Sequence, residues 1–278
     1  MSNPPSGDLR LIFQPGKVAS QSIEAALRQA DPASIVERHH FLSDEVLAEF
    51  ERIGAAEPAG SEVAVSVGEQ LQAAQNCRRV IADRQRRVLV VTGFRDPLDF
   101  AISAFFQNIA FFCPQLTYEA GRLEQETAAA IDIFHDEFER FIWRRSNRIR
   151  SSGLRELMVD LKFHNISNWF RTEFQDYLGI DIFNYNVGSN SFIEFSRGRF
   201  EFLVYRFEAL TDCIDRISNK LNRPDAIVIP RRNVAAEKDH GLVYGAFRRQ
   251  FEPCEAMVKY YYRSRYFEHF YGPFDPAF

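Results

Sequence analysis

Apolar positions come in short runs that alternate with stretches of helical spacing. Residues 11–14 form the first run and predict a strand. Pro15-Gly16 breaks it, and residues 22–29 carry helical spacing that ends near Asp31-Pro32. A short strand over 34–37 then delivers Arg38-His39-His40-Phe41. Ser43-Asp44-Glu45 caps a helix running to about residue 53, 54–60 reads as a loop, and 65–85 as a long polar helix. Residues 87–94 are the clearest strand, because a run of apolar, mostly β-branched residues fits a parallel strand covered on both faces. Arg95-Asp96-Pro97 interrupts it, and a helix follows to about residue 111 with Pro97 at its first position. The charged, helix-periodic stretch 118–150 predicts two solvated helices. An amphipathic helix over 165–178 is closed by Gly179. Residues 180–185 read as extended, 188–190 as a turn, and 192–195 with 200–205 as a hairpin or an edge strand beside an inner one. Helices over 209–221, 234–251 and 253–267, with a loop over 224–233, complete the pattern.

Strands alternating with helices predict an α/β fold with a mostly parallel central sheet flanked by helices. Ligands of such sheets bind beyond the carboxyl ends of the strands. Three chemistry-bearing segments sit there: the turn after the first strand, the His39-His40 pair, and Arg95. A strand-to-helix turn gathers backbone N–H groups at the positive end of the helix dipole, which suits an anion. Lys17 adds a positive charge, and Ser20 and Ser22 add hydroxyl donors. The planar fork of Arg95 suits an oxyanion, and Ser103 lies two turns into the helix that follows. The bland alternatives are an ordinary turn with a surface lysine and a surface Arg-Asp pair. His39 and His40 titrate near neutrality and are the candidate bases, and alternation along a strand puts them on opposite faces. Glu208 is a further carboxylate candidate, His164 and His240 are weaker ones, and His135 and His269 read as helix-face residues. Trp169 and the tyrosines at 260–262 have either core packing or sugar stacking open to them.

Composition narrows the classes. A chain of 278 residues can bury one full core, and the expected organisation is a polar, disordered lead-in over 1–9 and a single domain over 10–278. A net charge of −4 gives no reason to expect nucleic acid. The four cysteines form no C-x-x-C pair, so neither a zinc site nor a redox motif is expected. Residues 1–10 lack the apolar core of a signal peptide, and no apolar run is long enough to span a bilayer. A cytoplasmic protein is expected, with peripheral membrane contact left open. The G-x-x-x-x-G-K-[ST] pattern is absent, which argues against an ATP- or GTP-hydrolysing enzyme.

Taken together, the Lys17-Val-Ala-Ser20-Gln-Ser22 turn and Arg95-Asp96-Pro97 with Ser103-Ala-Phe-Phe-Gln-Asn108 resemble the P-loop-like sulfotransferases. The nearer resemblance is to a bacterial family of capsular polysaccharide synthesis proteins. Asn168-Trp169-Phe170, Gly179-Ile180-Asp181, residues 205–210 and 233–238 look like further landmarks of that family. The resemblance implies a P-loop-like sulfotransferase architecture with a helical insertion at 118–150. It implies 3′-phosphoadenosine 5′-phosphosulfate as donor, a saccharide or other hydroxyl as acceptor, and no metal. Lys17, Ala19, Ser20, Gln21 and Ser22 would hold the 5′-phosphosulfate. Arg95 and Ser103 would hold the 3′-phosphate, with Lys238, and Arg231 or Arg232, as further contacts. Lys17 would neutralise the leaving oxygen while His39, His40 or Glu208 takes the acceptor's proton. Two departures stand out: the family has glycine where this chain has Ala19, and a small hydroxyl residue where it has Gln21. They motivate the rival expectation of a non-catalytic nucleotide-binding or assembly protein in polysaccharide production. A nucleotide-dependent kinase is a third.

Overall fold

The structure, a computed structural model, describes residues 8–163, 165–187, 191–220 and 239–274. Its strands are β1 (Leu9–Phe13), β2 (Ile35–His39), β3 (Val88–Phe94), β4 (Phe192–Arg197) and β5 (Phe200–Arg206). In chain order the helices begin with α1 (Ser20–Ala30), α2 (Asp44–Ala56), α3 (Glu62–Ala82), α4 (Pro97–Gln107), α5 (Ile109–Phe112), α6 (Leu123–Ser146) and α7 (Leu154–Lys162). They continue with α8 (Ile166–Trp169), α9 (Asp176–Leu178), α10 (Leu210–Lys220), α11 (Gly241–Gln250), α12 (Glu255–Tyr262) and α13 (Arg265–Tyr271). Between α8 and α9 the chain stays helical through a π segment, Phe170–Gln175. Contacts divide the chain into two units, Met1–Arg95 with Trp169–Arg232, and Asp96–Asn168 with Asn233–Phe278.

The first unit holds a five-stranded sheet in the order β2-β1-β3-β5-β4. Among the described residues β1 pairs in parallel with β2 and β3, β3 pairs in parallel with β5, and only the β4–β5 hairpin is antiparallel. The carboxyl ends of β1, β2, β3 and β5 therefore share one edge of the sheet. Every residue of β3 is buried, as its unbroken apolar run requires. On one face Ile12, Val36, Leu89, Val91 and Leu203 pack with Ile23, Ala26 and Leu27 of α1 and Ile217 of α10. On the other, the Phe13 ring lies 5.0 Å from Trp169 and 5.7 Å from Phe174, and Phe174 lies 6.1 Å from Phe202.

Gly93 makes a crossing possible at the carboxyl end of β3. It pairs with Tyr205 of β5, and the Tyr205 ring lies where a side chain at 93 would be. A Cβ on Gly93 would stand 2.6 Å from Tyr205 Cζ. The missing side chain lets a buried tyrosine reach over the central strand toward the turn after β1.

The second unit is helical. The α6 helix turns Ala130, Phe134, Phe138 and Phe141 into its core, where they meet Phe105, Phe163, Phe247 and Tyr261. It is a core helix, where the charge pattern led us to expect solvated ones, and it is one helix preceded by a single turn, Ala120–Arg122.

Other boundaries differ for local reasons. The first strand begins at Leu9, inside the expected lead-in, and β2 extends to His39. The helix after β3 breaks at Asn108, whose side chain donates to Ala104 O at 2.9 Å and competes with the helix for that carbonyl. Residues 180–185 contain a 3₁₀ turn, Ile182–Asn184, because the Asp181 side chain accepts from Phe183 N. Ser264 caps α13 and divides the expected final helix in two. The α7 helix had no counterpart in the sequence pattern. The turn at 188–190, the loop at 224–233 and residues 234–238 lie outside the described residues.

Gly93→Ala should destabilise the protein by about 1–3 kcal/mol through overpacking against Tyr205. Gly68→Ala, on an exposed stretch of α3 with nothing within 4 Å, should stabilise it by up to about 1 kcal/mol. Urea denaturation of the two variants checks the pair, and equal effects would remove the crossing from the account.

Candidate anion-binding site

The turn after β1 is held from below and open above. Pro15 and Val18 are buried, while Gly16, Lys17 and Ala19 are partly exposed. The backbone enters the left-handed region twice, at Lys17 (φ 64) and at Ala19 (φ 64). Ala19 occupies the N-cap of α1 and supplies no side-chain cap, in contrast to Ser43 before α2 and Asp96 before α4. The first helical bond runs from Ile23 N to Ala19 O at 3.0 Å, so the amides of the first turn have no acceptor within the helix. Ser20 and Ser22 in that turn are 8% and 6% exposed, and Gln21 points outward. Left-handed backbone costs a non-glycine residue about 1–2 kcal/mol. The conformation at Ala19 is thus the one a glycine would adopt freely, and the alanine carries the strain.

Gln14 and Tyr205 hold this shape. Gln14 Nε2 donates to Val18 O at 3.2 Å, and the Tyr205 hydroxyl also bonds Val18 O and lies 3.0 Å from Gln14 Oε1. Both side chains are fully buried. The Gln14 backbone ties the turn to β2, its N–H donating to His39 O at 3.3 Å and its carbonyl accepting from His40 Nδ1 at 2.7 Å.

Arg95 joins the same turn. Its Nη1 donates to Lys17 O at 3.1 Å, and its guanidinium carbon lies 4.4 Å from the centroid of the Phe207 ring. The Lys17 turn is thus bonded to His40 through the Gln14 carbonyl and to Arg95 through the Lys17 carbonyl. Glu208 stands beside the site as an exposed carboxylate 3.4 Å from Arg206 Nε.

The two histidines part. His39 is the last residue of β2 and its Nε2 lies 3.4 Å from Glu37 Oε2, two residues back on the same strand face. His40 is the one joined to the turn. A carbonyl only accepts, so His40 Nδ1 carries the proton and Nε2 is the basic nitrogen of the neutral ring.

A second layer holds the corner that presents His40. Trp169 Nε1 donates to His40 O at 2.7 Å. One helical turn on, within the π segment, Glu173 accepts from Leu42 N at 2.6 Å, Ser43 N at 2.9 Å and Ser43 Oγ at 2.7 Å. Arg78 of α3 bonds Leu42 O through its Nε at 2.8 Å. Glu173 is fully buried, and burial raises its carboxyl to about 7 against the opposing pull of its Leu42 and Ser43 donors and the Arg78 charge. Sequence reasoning missed Glu173, Gln14 and Tyr205. The available signal for the first was a carboxylate at helical spacing from the aromatic residues Trp169 and Phe170 and next to Phe174.

The remaining candidates fall elsewhere. Ser103 is partly buried on α4 and belongs to the second unit. Lys238, Arg231, Arg232 and His164 lie outside the described residues. His240 is nearly buried near Phe106 and Tyr118, His135 lies 5.3 Å from Phe251, and His269 lies 4.8 Å from Phe270. Trp169 and Tyr261 are core residues. Burial pushes the Cys77 and Cys113 thiols up to about 12, so both are packing groups without thiolate reactivity. Among the described residues, no group of three or more His, Cys, Asp or Glu side chains is arranged to hold a metal ion.

The fold is that of an α/β protein with a mostly parallel sheet and an uncapped helix N-terminus at its carboxyl edge. A family model described as "putative capsular polysaccharide synthesis protein" matches residues 149–272, which take in Trp169, Glu173 and Tyr205 but not Lys17, His40 or Arg95. No curated protein and no solved structure matches the chain. No helix among the described residues is long and apolar enough to cross a membrane.

Ala19→Gly should raise stability by about 1 kcal/mol by relieving the left-handed alanine, as read by thermal or urea unfolding. Glu173 gives a pH dependence. Its folded value of about 7 lies above the ordinary 4.5, so the folded state binds the proton more tightly between them. Its contribution is therefore full below pH 4.5 and is lost as pH rises through 7, by up to about 3 kcal/mol. Urea titrations across that range should show stability falling with pH, and Glu173→Gln should flatten the slope.

Proposed function

We propose that the turn from Gln14 to Ser22 binds the phosphosulfate end of 3′-phosphoadenosine 5′-phosphosulfate. On this reading the protein moves a sulfuryl group to a hydroxyl, of a saccharide by preference. The observation that carries the reading is the bond from Arg95 to the Lys17 carbonyl. It fixes a guanidinium beside a helix N-terminus that has no side-chain cap. Two cationic side chains and the first-turn amides fit a multiply charged, tetrahedral oxyanion. The family-model description, which names capsular polysaccharide synthesis, supports a saccharide setting.

The donor supplies an activated sulfuryl group whose transfer leaves negative charge on a phosphate oxygen. The residues of this chain do the rest. The first-turn amides bind and orient the anion, and Arg95, expected at the 3′-phosphate, is assigned to the same anion because it bonds the Lys17 carbonyl. Lys17 offsets the charge that grows on the leaving oxygen. His40, with Nδ1 committed to Gln14 O, takes the acceptor hydroxyl's proton on Nε2 as the oxygen attacks sulfur. Positioning and electrostatics dominate such loose transfers, by analogy with phosphoryl transfer. A second reading, a non-catalytic nucleotide-binding protein in polysaccharide production, is favoured by the strained Ala19 and the outward Gln21.

Calorimetric titration with 3′-phosphoadenosine 5′-phosphate, with ATP and magnesium for comparison, tests the binding claim. Selective binding is expected, weakened by roughly 2–4 kcal/mol in Arg95→Ala. Unchanged affinity in that variant would sink the assignment. Lys17→Ala should abolish turnover while leaving the fold intact. Donor binding without turnover in the unmodified protein, across a panel of saccharide acceptors, would move the conclusion to the second reading.

A further inference from the structure

β5 supports the turn after β1 with Tyr205, and two residues further on the chain carries a second ring. Phe207 opens the 3₁₀ turn Phe207–Ala209 that follows the strand. Arg206 between them keeps an extended backbone (φ −77, ψ 126), so strand alternation continues through it and puts Phe207 on the same face as Tyr205. That is the face on which α1 packs. The Tyr205 hydroxyl bonds Val18 O. The Phe207 ring centroid lies 4.4 Å from the guanidinium carbon of Arg95, whose Nη1 donates to Lys17 O at 3.1 Å. The end of one strand thus reaches the same turn twice, once at its backbone and once at the cation beside it.

What holds an arginine decides what it has left to offer. A carboxylate uses N–H donors and offsets the charge, as Glu208 does for Arg206 at 3.4 Å. An aromatic face does neither: the ring quadrupole attracts the cation through its face, and the in-plane donors stay outside that contact. A ring contact therefore suits an arginine that has to be held still and yet bind an oxyanion in the plane of its fork. Phe207 is partly exposed and stands at the carboxyl edge of the sheet, where ligands of such sheets bind.

We infer that Phe207 is a positioning residue for anion binding, its ring fixing the plane of the Arg95 guanidinium beside the Lys17 turn. The ring thereby sets the direction in which Arg95 meets the oxyanion. The inference rests on the anion site proposed above and adds to it a residue that acts only through Arg95.

The test uses the full chain and calorimetry with 3′-phosphoadenosine 5′-phosphate as the probe. Phe207→Leu keeps an apolar side chain but loses the ring face, and should weaken binding about two- to thirty-fold, the range of a cation–π contact. Phe207→Tyr restores the face and should rescue the affinity. In the Arg95→Ala background Phe207→Leu should change affinity no further, because the contact it removes is already gone. A ring that merely covers the sheet edge would weaken binding equally with and without Arg95. That result, or unchanged affinity in Phe207→Leu, would overturn the inference. The free protein supplies a readout that needs no ligand: the heteronuclear NOE of the Arg95 Nε–Hε group should fall in Phe207→Leu and recover in Phe207→Tyr. If the unmodified protein does not bind the probe, it is the proposed function that fails. The Arg95 signal then decides the ring's hold by itself: a fall in Phe207→Leu supports it, and no change overturns it.

Discussion

A tyrosine hydroxyl that crosses a glycine holds the turn on which the site depends. Tyr205 lies on β5 and its bonding partners, Val18 O and Gln14 Oε1, lie in the turn after β1, with the whole of β3 between them. Only a residue without a side chain at position 93 leaves room for that ring. The bond is buried, so its loss would leave Val18 O with Gln14 Nε2 alone and one buried oxygen short of a donor. That costs about 1–3 kcal/mol, more than the bond itself contributes net. This asymmetry lets a small number of contacts hold Ala19 in a backbone conformation that alanine disfavours.

From that lock the constraints spread along the carboxyl edge of the sheet. Gln14 passes them to β2 through its own N–H and carbonyl, and so sets the ring of His40. The helix that carries Trp169 and Glu173 closes the arrangement from outside, one residue holding the carbonyl of His40 and the other the amides of Leu42 and Ser43. A π segment shifts side chains around the helix axis relative to regular α spacing, and such segments are frequent at functional sites. Burying a carboxylate here is unfavourable in itself and is only partly offset by three donors, so the carboxyl stays raised to about 7. Glu173 therefore belongs with the groups that fix the His40 corner in place.

The sheet and most helices were legible because their signals are local. β3 announced itself as an apolar run, Ser43 and Pro97 marked helix starts, and Gly179 (φ 68) marked a helix end. What stayed hidden depends on residues distant in sequence. Nothing near Tyr205 indicates that it reaches Val18, and nothing near Glu173 indicates that it meets Leu42. The choice between His39 and His40 turned on where β2 stops, and the strand runs two residues past the expected end. The region 118–150 misled because charge pattern reports the solvated face of a helix. The buried face of α6, with Phe134, Phe138 and Phe141, carries the second unit's core.

The central claim is that the first turn of α1, Arg95 and His40 serve one anion. Amide and histidine-ring resonances of the isotopically labelled protein, followed while 3′-phosphoadenosine 5′-phosphate is added, address it most directly. The account predicts that the amides of Ser20, Gln21 and Ser22, the Arg95 side chain and the His40 ring shift together along one saturating curve. Saturable shifts confined to other residues, with the Ser20–Ser22 amides unmoved, would contradict it.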